Sequence, residues 1–338
     1  LLGDFYFGYG DEDTAILTYM AETAAACHAP FIAAVDASMF DYNSYEKFDE
    51  GRPVAAGFDS PQYASWNGFR DSDESRYVAL TLPSTLARLP YGANGLKASS
   101  FEFEELETDA EGNQRPNDNS ELVWSNAAYE LALKMNDAFT EFGWCTAIRG
   151  VENGGKVDKL PNLVFKSDAG DIQQQCPIEV NLTDEREKEL SDLGFLPLVH
   201  YKNTDYGVFI GSQSTQRPKT YTDPGATENA AISARLPYIM ASGRIAHYLK
   251  VMGRDKLGSA VEAPDIQKQL QSWIDTYTNS GAKGNAERAK TPLAESRIDV
   301  VEQPGRPGSY SAIAYLRPWL QLEELTTSVR MVTKIPGG

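Results

Sequence analysis

The chain is 338 residues long and 41% hydrophobic, and it carries 31 Lys and Arg against 48 Asp and Glu, a formal net charge of -17. That length is enough for a full core and two domains. A field so negative repels phosphate backbones and anionic lipid, which argues against nucleic-acid binding, and no run reaches the about 18 apolar residues of a membrane span. Cys27, Cys145 and Cys176 are odd in number, far apart and outside any CxxC spacing, as expected of free thiols in a reducing compartment. Nothing at Leu1 resembles a signal peptide and no initiator Met is present, so the chain is expected to be a piece of a longer polypeptide.

Leu1 to Phe7 is an apolar strand, Asp11 to Ala29 places Ile16, Leu17, Met20 and an alanine run at helical spacing, and Pro30 to Val35 is apolar again. This is a βαβ unit and predicts parallel strands. Gly8-Tyr9-Gly10 between strand and helix imitates a dinucleotide fingerprint, but Asp13 stands in place of the third glycine and three acids would repel a pyrophosphate. The favoured reading is a turn leading into a helix N-terminus. From Ala37 to Arg70, Phe40, Tyr42, Tyr45, Phe48, Tyr63, Trp66 and Phe69 are expected to pack, with Ser60-Pro61 as a cap and first helical residue.

Phe101 to Gly112 is dense in carboxylates but lacks EF-hand spacing, so a solvated acidic loop is favoured over a cation site. Leu122 to Phe142 reads as one amphipathic helix, with Leu131, Met135, Ala138 and Phe142 on a stripe, leading into a strand at Trp144 to Arg149. Gly150 to Lys156 then matches the P-loop spacing. Val157 replaces the magnesium-binding hydroxyl, Glu152 faces the would-be phosphates, and Pro161 comes too soon for the required helix. A nucleotide-binding α/β enzyme using Gly150 to Lys156 is therefore kept only as the alternative.

Ile178 to Leu182 reads as a strand, and Thr183 as the cap of a charged helix that Gly194 ends. Phe195 to Tyr201 and Tyr206 to Gly211 form a hairpin. Polar Gln213 to Gly225, with Pro218 and Pro224, is the expected linker, dividing residues 1–212 from 226–338. A long helix from Ala226 to about Lys256, kinked at Pro237, precedes a helix at Pro264 to Tyr277 with the stripe Ile266, Leu270, Trp273, Ile274 and Tyr277. Arg297 to Glu302 and Tyr310 to Leu316 flank a turn-rich segment as a second hairpin.

After Pro318 the terminal stretch 319–336 alternates with period two from Leu325: Leu325, Thr327, Val329, Met331, Thr333 and Ile335 against Thr326, Ser328, Arg330, Val332 and Lys334. This is the pattern of a half-buried strand. Periodicity leaves two fates open, completion of the chain's own sheet or donation to a neighbour's. His28, His200 and His247 lie in separate elements without ligand spacing, and neighbouring Cys27 and His28 would point about 100° apart on a helix. No G-x-S-x-G, HExxH or kinase set is present. The residues thus lean towards a structural or interaction protein, with no catalytic, cofactor or metal residues assigned.

Seven strings carry a resemblance: CHAPFIAAV at 27–35, RLPYG at 88–92, FEFEE at 101–105, FGWCTAIRGVENGG at 142–155, CPIEVNLTDEREKELSDLGFLPLVHYKNTDYGVFIGSQS at 176–214, ARLPYIMASGRIAHYLKVMGRDKLG at 234–258 and LRPWLQLEELTTSVRMV at 316–332. Together they resemble the large subunit of the type VI secretion contractile sheath, the TssC or VipB family, over nearly the whole chain. The resemblance implies an α/β, contractile tail-sheath-like fold, with mixed sheets flanked by helices and a C-terminal strand exchanged between subunits. It further implies a cytoplasmic bacterial protein without enzymatic activity. Its partners would be the small sheath subunit of TssB or VipA type, further copies of itself, an inner tube and baseplate, and an AAA+ recycling ATPase. Mapped here, the intersubunit strand would carry Leu320, Leu322, Leu325, Thr327, Val329, Met331, Thr333 and Ile335. The sheath of a related phage-tail-like machine stays open as a further alternative. The N-terminal region that family members carry before the first strand is expected to lie outside this sequence.

Overall fold

A computed structural model describes residues 1–48, 53–92, 95–97, 99–108, 114, 116–166, 170–202, 204–255, 262–302, 310–319 and 329–335. The chain forms two compact units, one of Leu1–Ala24, Phe31–Lys134 and Ile148–Arg217, the other of Ala25–Pro30, Met135–Ala147 and Pro218–Gly338. The class is mixed α/β, with mixed sheets flanked by helices, as expected.

The first unit contains strands β1 (Leu2–Phe7), β2 (Phe31–Val35), β3 (Val78–Leu82), β4 (Thr85–Leu86), β5 (Trp124–Ser125), β6 (Lys156–Val157), β7 (Val164–Lys166), β8 (Ile172–Gln174), β9 (Leu196–His200) and β10 (Gly207–Phe209). Its helices are α1 (Asp11–Cys27), α2 (Ala64–Arg70) and α4 (Asp184–Asp192), with α3 (Ala128–Phe142) beginning in it. Six strands form one sheet in the order β1-β2-β3-β9-β10-β6. The β1, β2, β3 and β9 pairings are parallel, and the β9, β10 and β6 pairings antiparallel. Strands β2, β3 and β9 are buried at every position, which explains their unbroken apolar runs.

The βαβ reading holds, and the Gly8 amide donates to Asp13 Oδ2 at 2.7 Å, so the Gly8-Tyr9-Gly10 turn is closed by the acid that displaced the third glycine. The aromatic stretch packs as expected: Trp66 stacks on Phe195 with centroids 5.6 Å apart, and Phe40 meets Phe48, Phe58 and Phe195 edge-on. Tyr45 and Tyr63 place their hydroxyls on the carbonyls of Val35 and Met39. Each such ring pair contributes about 0.5–1.5 kcal/mol beyond area burial. Pro61 opens a 3-10 turn, but Ser60 makes no capping bond.

Several expectations fail for local reasons. Trp144 to Arg149 is not a strand, and Ile178 to Leu182 is reduced to a single bridge with Thr85. The helix read from Leu122 starts only at Ala128, because Asn126 Oδ1 accepts from the Ala128 amide and caps it there. The long helix from Ala226 is two, α5 (Pro224–Ser233) and α6 (Leu236–Arg254). Arg235 between them is extended and Pro237 falls in the first turn of α6, where its missing N–H leaves nothing unpaired. Thr183 does cap α4 through the Arg186 amide, and Gly194 follows that helix at φ +84.

Gly194 is also needed for space, since a Cβ there would stand 2.9 Å from the Thr215 carbonyl. That carbonyl belongs to the anchor of this unit. Arg70, 3% exposed, donates to the carbonyls of Thr215 and Asp192 at 2.9 and 3.3 Å. The Thr215 amide reaches the Val78 carbonyl, so Ser214, Thr215 and Gln216, within the stretch read as a linker, are buried in the first unit. Burial lowers the Arg70 guanidinium to about 10, so it stays charged at neutral pH.

The second unit holds α5, α6, α7 (Ala263–Asp275), α8 (Asn285–Lys290) and an antiparallel sheet of β11 (Leu293–Glu302), β12 (Tyr310–Pro318) and β13 (Val329–Ile335). Ala241, Ile245 and Leu249 of α6 and Ile266, Leu270 and Ile274 of α7 share a core with Ile298, Val300, Ala312, Ala314 and Leu316 of the sheet. The predicted α7 stripe is therefore the face it buries.

Replacing Arg70 by Ala is expected to destabilise the protein by about 2–4 kcal/mol, because the buried Thr215 carbonyl and the part-buried Asp192 carbonyl lose a charged donor. Chemical denaturation followed by tryptophan fluorescence measures this, and a change below about 0.5 kcal/mol would show that Arg70 anchors nothing.

Candidate assembly site

The terminal residues singled out from the sequence fall in two places. Leu320, Leu322, Leu325 and Thr327 lie outside the described residues, while Val329, Met331, Thr333 and Ile335 lie in β13. In this structure β13 pairs with β12 of its own chain. The register sets Val329, Met331, Thr333 and Ile335 opposite Leu316, Ala314, Ala312 and Tyr310. Ala312 and Ala314 are fully buried and Leu316 is 1% exposed, so the row of β12 that meets the odd positions of β13 is its core-facing row. The alternate residues Ser311, Ile313, Tyr315 and Arg317 are half-buried.

On the β11 side the hairpin is laced by cross-strand partners. Arg297 lies 4.4 Å over the ring of its partner Tyr315, and Arg317 meets its partner Glu295 at 3.1 Å. Beyond Pro318 comes Trp319, whose amide donates to the Pro292 carbonyl at 2.9 Å and whose indole donates to the Asn279 carbonyl at 3.1 Å, with Arg288 over the ring. Trp319 is thus a fixed point between the hairpin and residues 320–328. A tight antiparallel turn needs about two residues, whereas residues 320–328 can reach about 30 Å when extended. The sequence marked this stretch by its period but gave no sign that Trp319 anchors it.

The competing sites do not assemble. Gly155 donates its amide to Gly150 O at 3.0 Å, and Gly150 donates to Phe209 O at 2.7 Å, so these amides are spent on protein carbonyls. Lys156 stands in β6 with Nζ 2.7 Å from Asp158 and over the Tyr206 ring. A strand where a P-loop has a helix N-terminus gives no phosphate cradle. His200 bonds the Thr204 carbonyl, and nearby Cys176, in a depression shared with Val164, Ile172 and Lys202, is pushed by burial to about 11, which keeps it a thiol. His28 and His247, read as separate, have centroids 5.2 Å apart, with Lys250 Nζ 3.2 Å from His28 Nε2. Burial, then Lys250 and His247, lower the His28 pKa, so it is neutral and accepts. Among the described residues no group of three or more His, Cys, Asp or Glu is placed to hold a metal, and no helix is long and apolar enough to cross a membrane.

The terminal strand is thus placed by backbone pairing with β12, and comparison with known proteins gives the family. The tail sheath N-terminal domain of the EvpB/VC_A0108 type, VipB, matches residues 1–216, and the tail sheath gpW/gp25-like domain matches residues 225–335. The chain belongs to the VipB tail-sheath family. It is 45% identical over 340 residues to the type VI secretion system sheath protein TssC1 of Pseudomonas aeruginosa, covering 100% of this chain and 67% of that protein. A chain of the anti-feeding prophage baseplate aligns at TM-score 0.43 and 11% identity, covering 95% of this chain and 60% of that one. The sheath family is structural, and its members form tail-sheath assemblies; β11, β12 and β13 all fall within the gpW/gp25-like match.

ATP with magnesium is expected to shift the melting temperature of this sheath chain by less than about 1 °C, and Lys156→Ala to leave that response unchanged. Nucleotide-dependent stabilisation abolished by Lys156→Ala would instead establish the nucleotide-binding reading.

Proposed function

We propose that the chain is the large subunit of a type VI secretion contractile sheath. It pairs with the small sheath subunit in the bacterial cytoplasm, and the heterodimers polymerise into a helical tube around an inner tube on a baseplate. Contraction drives that tube and its spike outwards, and an AAA+ ATPase recycles the contracted sheath. The observation that carries this reading is the match of both sheath domains along residues 1–216 and 225–335, with 45% identity to a type VI sheath protein.

Within this function the terminal strand, Leu320 to Ile335, is lent to a neighbouring subunit. The β12–β13 register supports the reading, because a ladder that forms within one chain forms with the same residues between two. Exchange replaces like by like, so hydrogen bonding is conserved and a strand can pass between subunits without loss of pairing. Residues 320–328 supply reach, and Trp319 holds the point from which they depart. Backbone ladders also survive rigid rotation of the bodies they join, which contraction demands.

The Val329→Pro variant of the full-length protein, co-expressed with the small subunit, tests this. Proline at the position opposite Leu316 removes a backbone donor at the start of the strand. The expected result is a folded protein melting within about 5 °C of the parent but no tubes by electron microscopy, where the parent gives tubes. Tubes of normal length from the variant would contradict strand lending. Absence of tubes from the unmodified pair, with both subunits soluble and folded, would contradict the sheath assignment.

A further inference from the structure

A three-stranded antiparallel sheet has two edges, and an exposed edge is a template for any strand that meets it. Here β12 is the central strand, and the β11–β12 hairpin that remains when β13 is lent has two edges, β11 and β12, which differ. On the outer side of β11 the Ile298 amide donates to Gln271 Oε1 at 2.8 Å and the Val300 amide donates to Gln267 Oε1 at 3.2 Å. Gln271 Nε2 donates back to the Ser296 carbonyl at 3.3 Å, and Asp275 Oδ1 orients the same amide group at 2.7 Å.

Gln267 and Gln271 are one turn apart on α7, next to the buried stripe Ile266, Leu270 and Ile274, so burying the stripe brings both amides to the strand. The closure continues towards Leu293, whose amide donates to the Tyr277 carbonyl and whose carbonyl accepts from the Asn279 amide. From Leu293 to Val300 the edge is thus occupied by side-chain amides and by the chain leaving α7. On the opposite side β12 pairs with β13 from Tyr310↔Ile335 to Leu316↔Val329.

We propose that Gln267 and Gln271 are the residues that give this sheet a single receptive side: they close the β11 edge, so an incoming strand is accepted only on the β12 side, away from α7. The incoming strand is the 329–335 segment of a second copy, because β12 already accepts that sequence over its whole length, from Tyr310↔Ile335 to Leu316↔Val329. This rests on the strand-lending reading above. It adds the directionality that a growing polymer requires, since a sheet receptive on both edges would also accept strands out of register with the lattice and branch. Two glutamines achieve this without charge, each offering a donor and an acceptor, which lysine or glutamate in their place would not.

The test uses the full chain carrying Val329→Pro, which weakens its own strand, with and without Gln267→Ala and Gln271→Ala. The probe is a synthetic peptide of residues 326–336 with a photo-reactive group at position 332. Cross-linking confined to β12 with the glutamines present, and to both β12 and β11 in the double alanine variant, is the expected result. Cross-linking to β12 alone in both proteins would overturn the role of the glutamines and leave strand lending intact. No cross-link at β12 in either would overturn both. A measurement independent of any variant is amide exchange in the unmodified chain. Ile298 and Val300 are expected to exchange as slowly as β12 amides, and exchange faster by about tenfold or more would overturn the closure.

Discussion

The hydrogen-bonding edge of β12 is the constraint on which the proposed strand lending depends. An apolar patch can be covered by any apolar partner, but a strand edge requires another strand in one register. Here that register is written into β12 itself. Its buried row of Ala312, Ala314 and Leu316 stands opposite Thr333, Met331 and Val329 of β13. The remainder of the second unit packs around the β11–β12 hairpin. Helix α6 supplies Ala241, Ile245 and Leu249 to the core beneath it, α7 occupies the far side of β11, and Trp319 fixes the point at which the hairpin ends.

Electrostatics assigns the work of association in the same direction. At a net charge of -17, copies of this chain repel one another at long range. Surface ion pairs such as Arg317 with Glu295 are each worth only about 0–1 kcal/mol and weaken with salt. The proposed polymerisation would therefore draw on backbone ladders and apolar burial, both short-ranged and largely insensitive to salt. The first unit is braced within itself. Its sheet is buried on both faces through β2, β3 and β9, and Arg70 ties the Thr215 segment to it.

What could be read in advance followed the strength of local periodicity. The βαβ opening, the α7 stripe, the Thr183 cap with Gly194 and the alternation of 329–335 each follow from spacing and a single local rule, and the structure places all four as elements. What escaped depends on contacts distant in sequence or on competing local signals. Trp144 to Arg149 is apolar and looked like a strand, yet Trp144 is taken up by Tyr277 and Arg244 in the second core. Pro237 looked like a kink because a proline at the start of a helix and one inside it differ only in where the helix begins. His28 and His247 are far apart in the chain but stack edge to face. Gln267 and Gln271 look like solvated helix residues until β11 is beside them. The family strings pointed to a tail sheath; the residues at the two edges of the β11–β12 hairpin needed the fold.

The most direct test of strand lending is a disulfide trap across the ladder. Ser311 stands opposite Lys334, a separation that suits a disulfide. In a background lacking Cys27, Cys145 and Cys176, full-length chains carrying Ser311→Cys alone would be mixed with chains carrying Lys334→Cys alone. The mixture would be oxidised before and after assembly with the small subunit. The account predicts no cross-linked pair before assembly and abundant pairs joining one chain of each kind within the tubes. Tubes that yield no such pair, while a chain bearing both cysteines closes its bond internally in the same tubes, would contradict it.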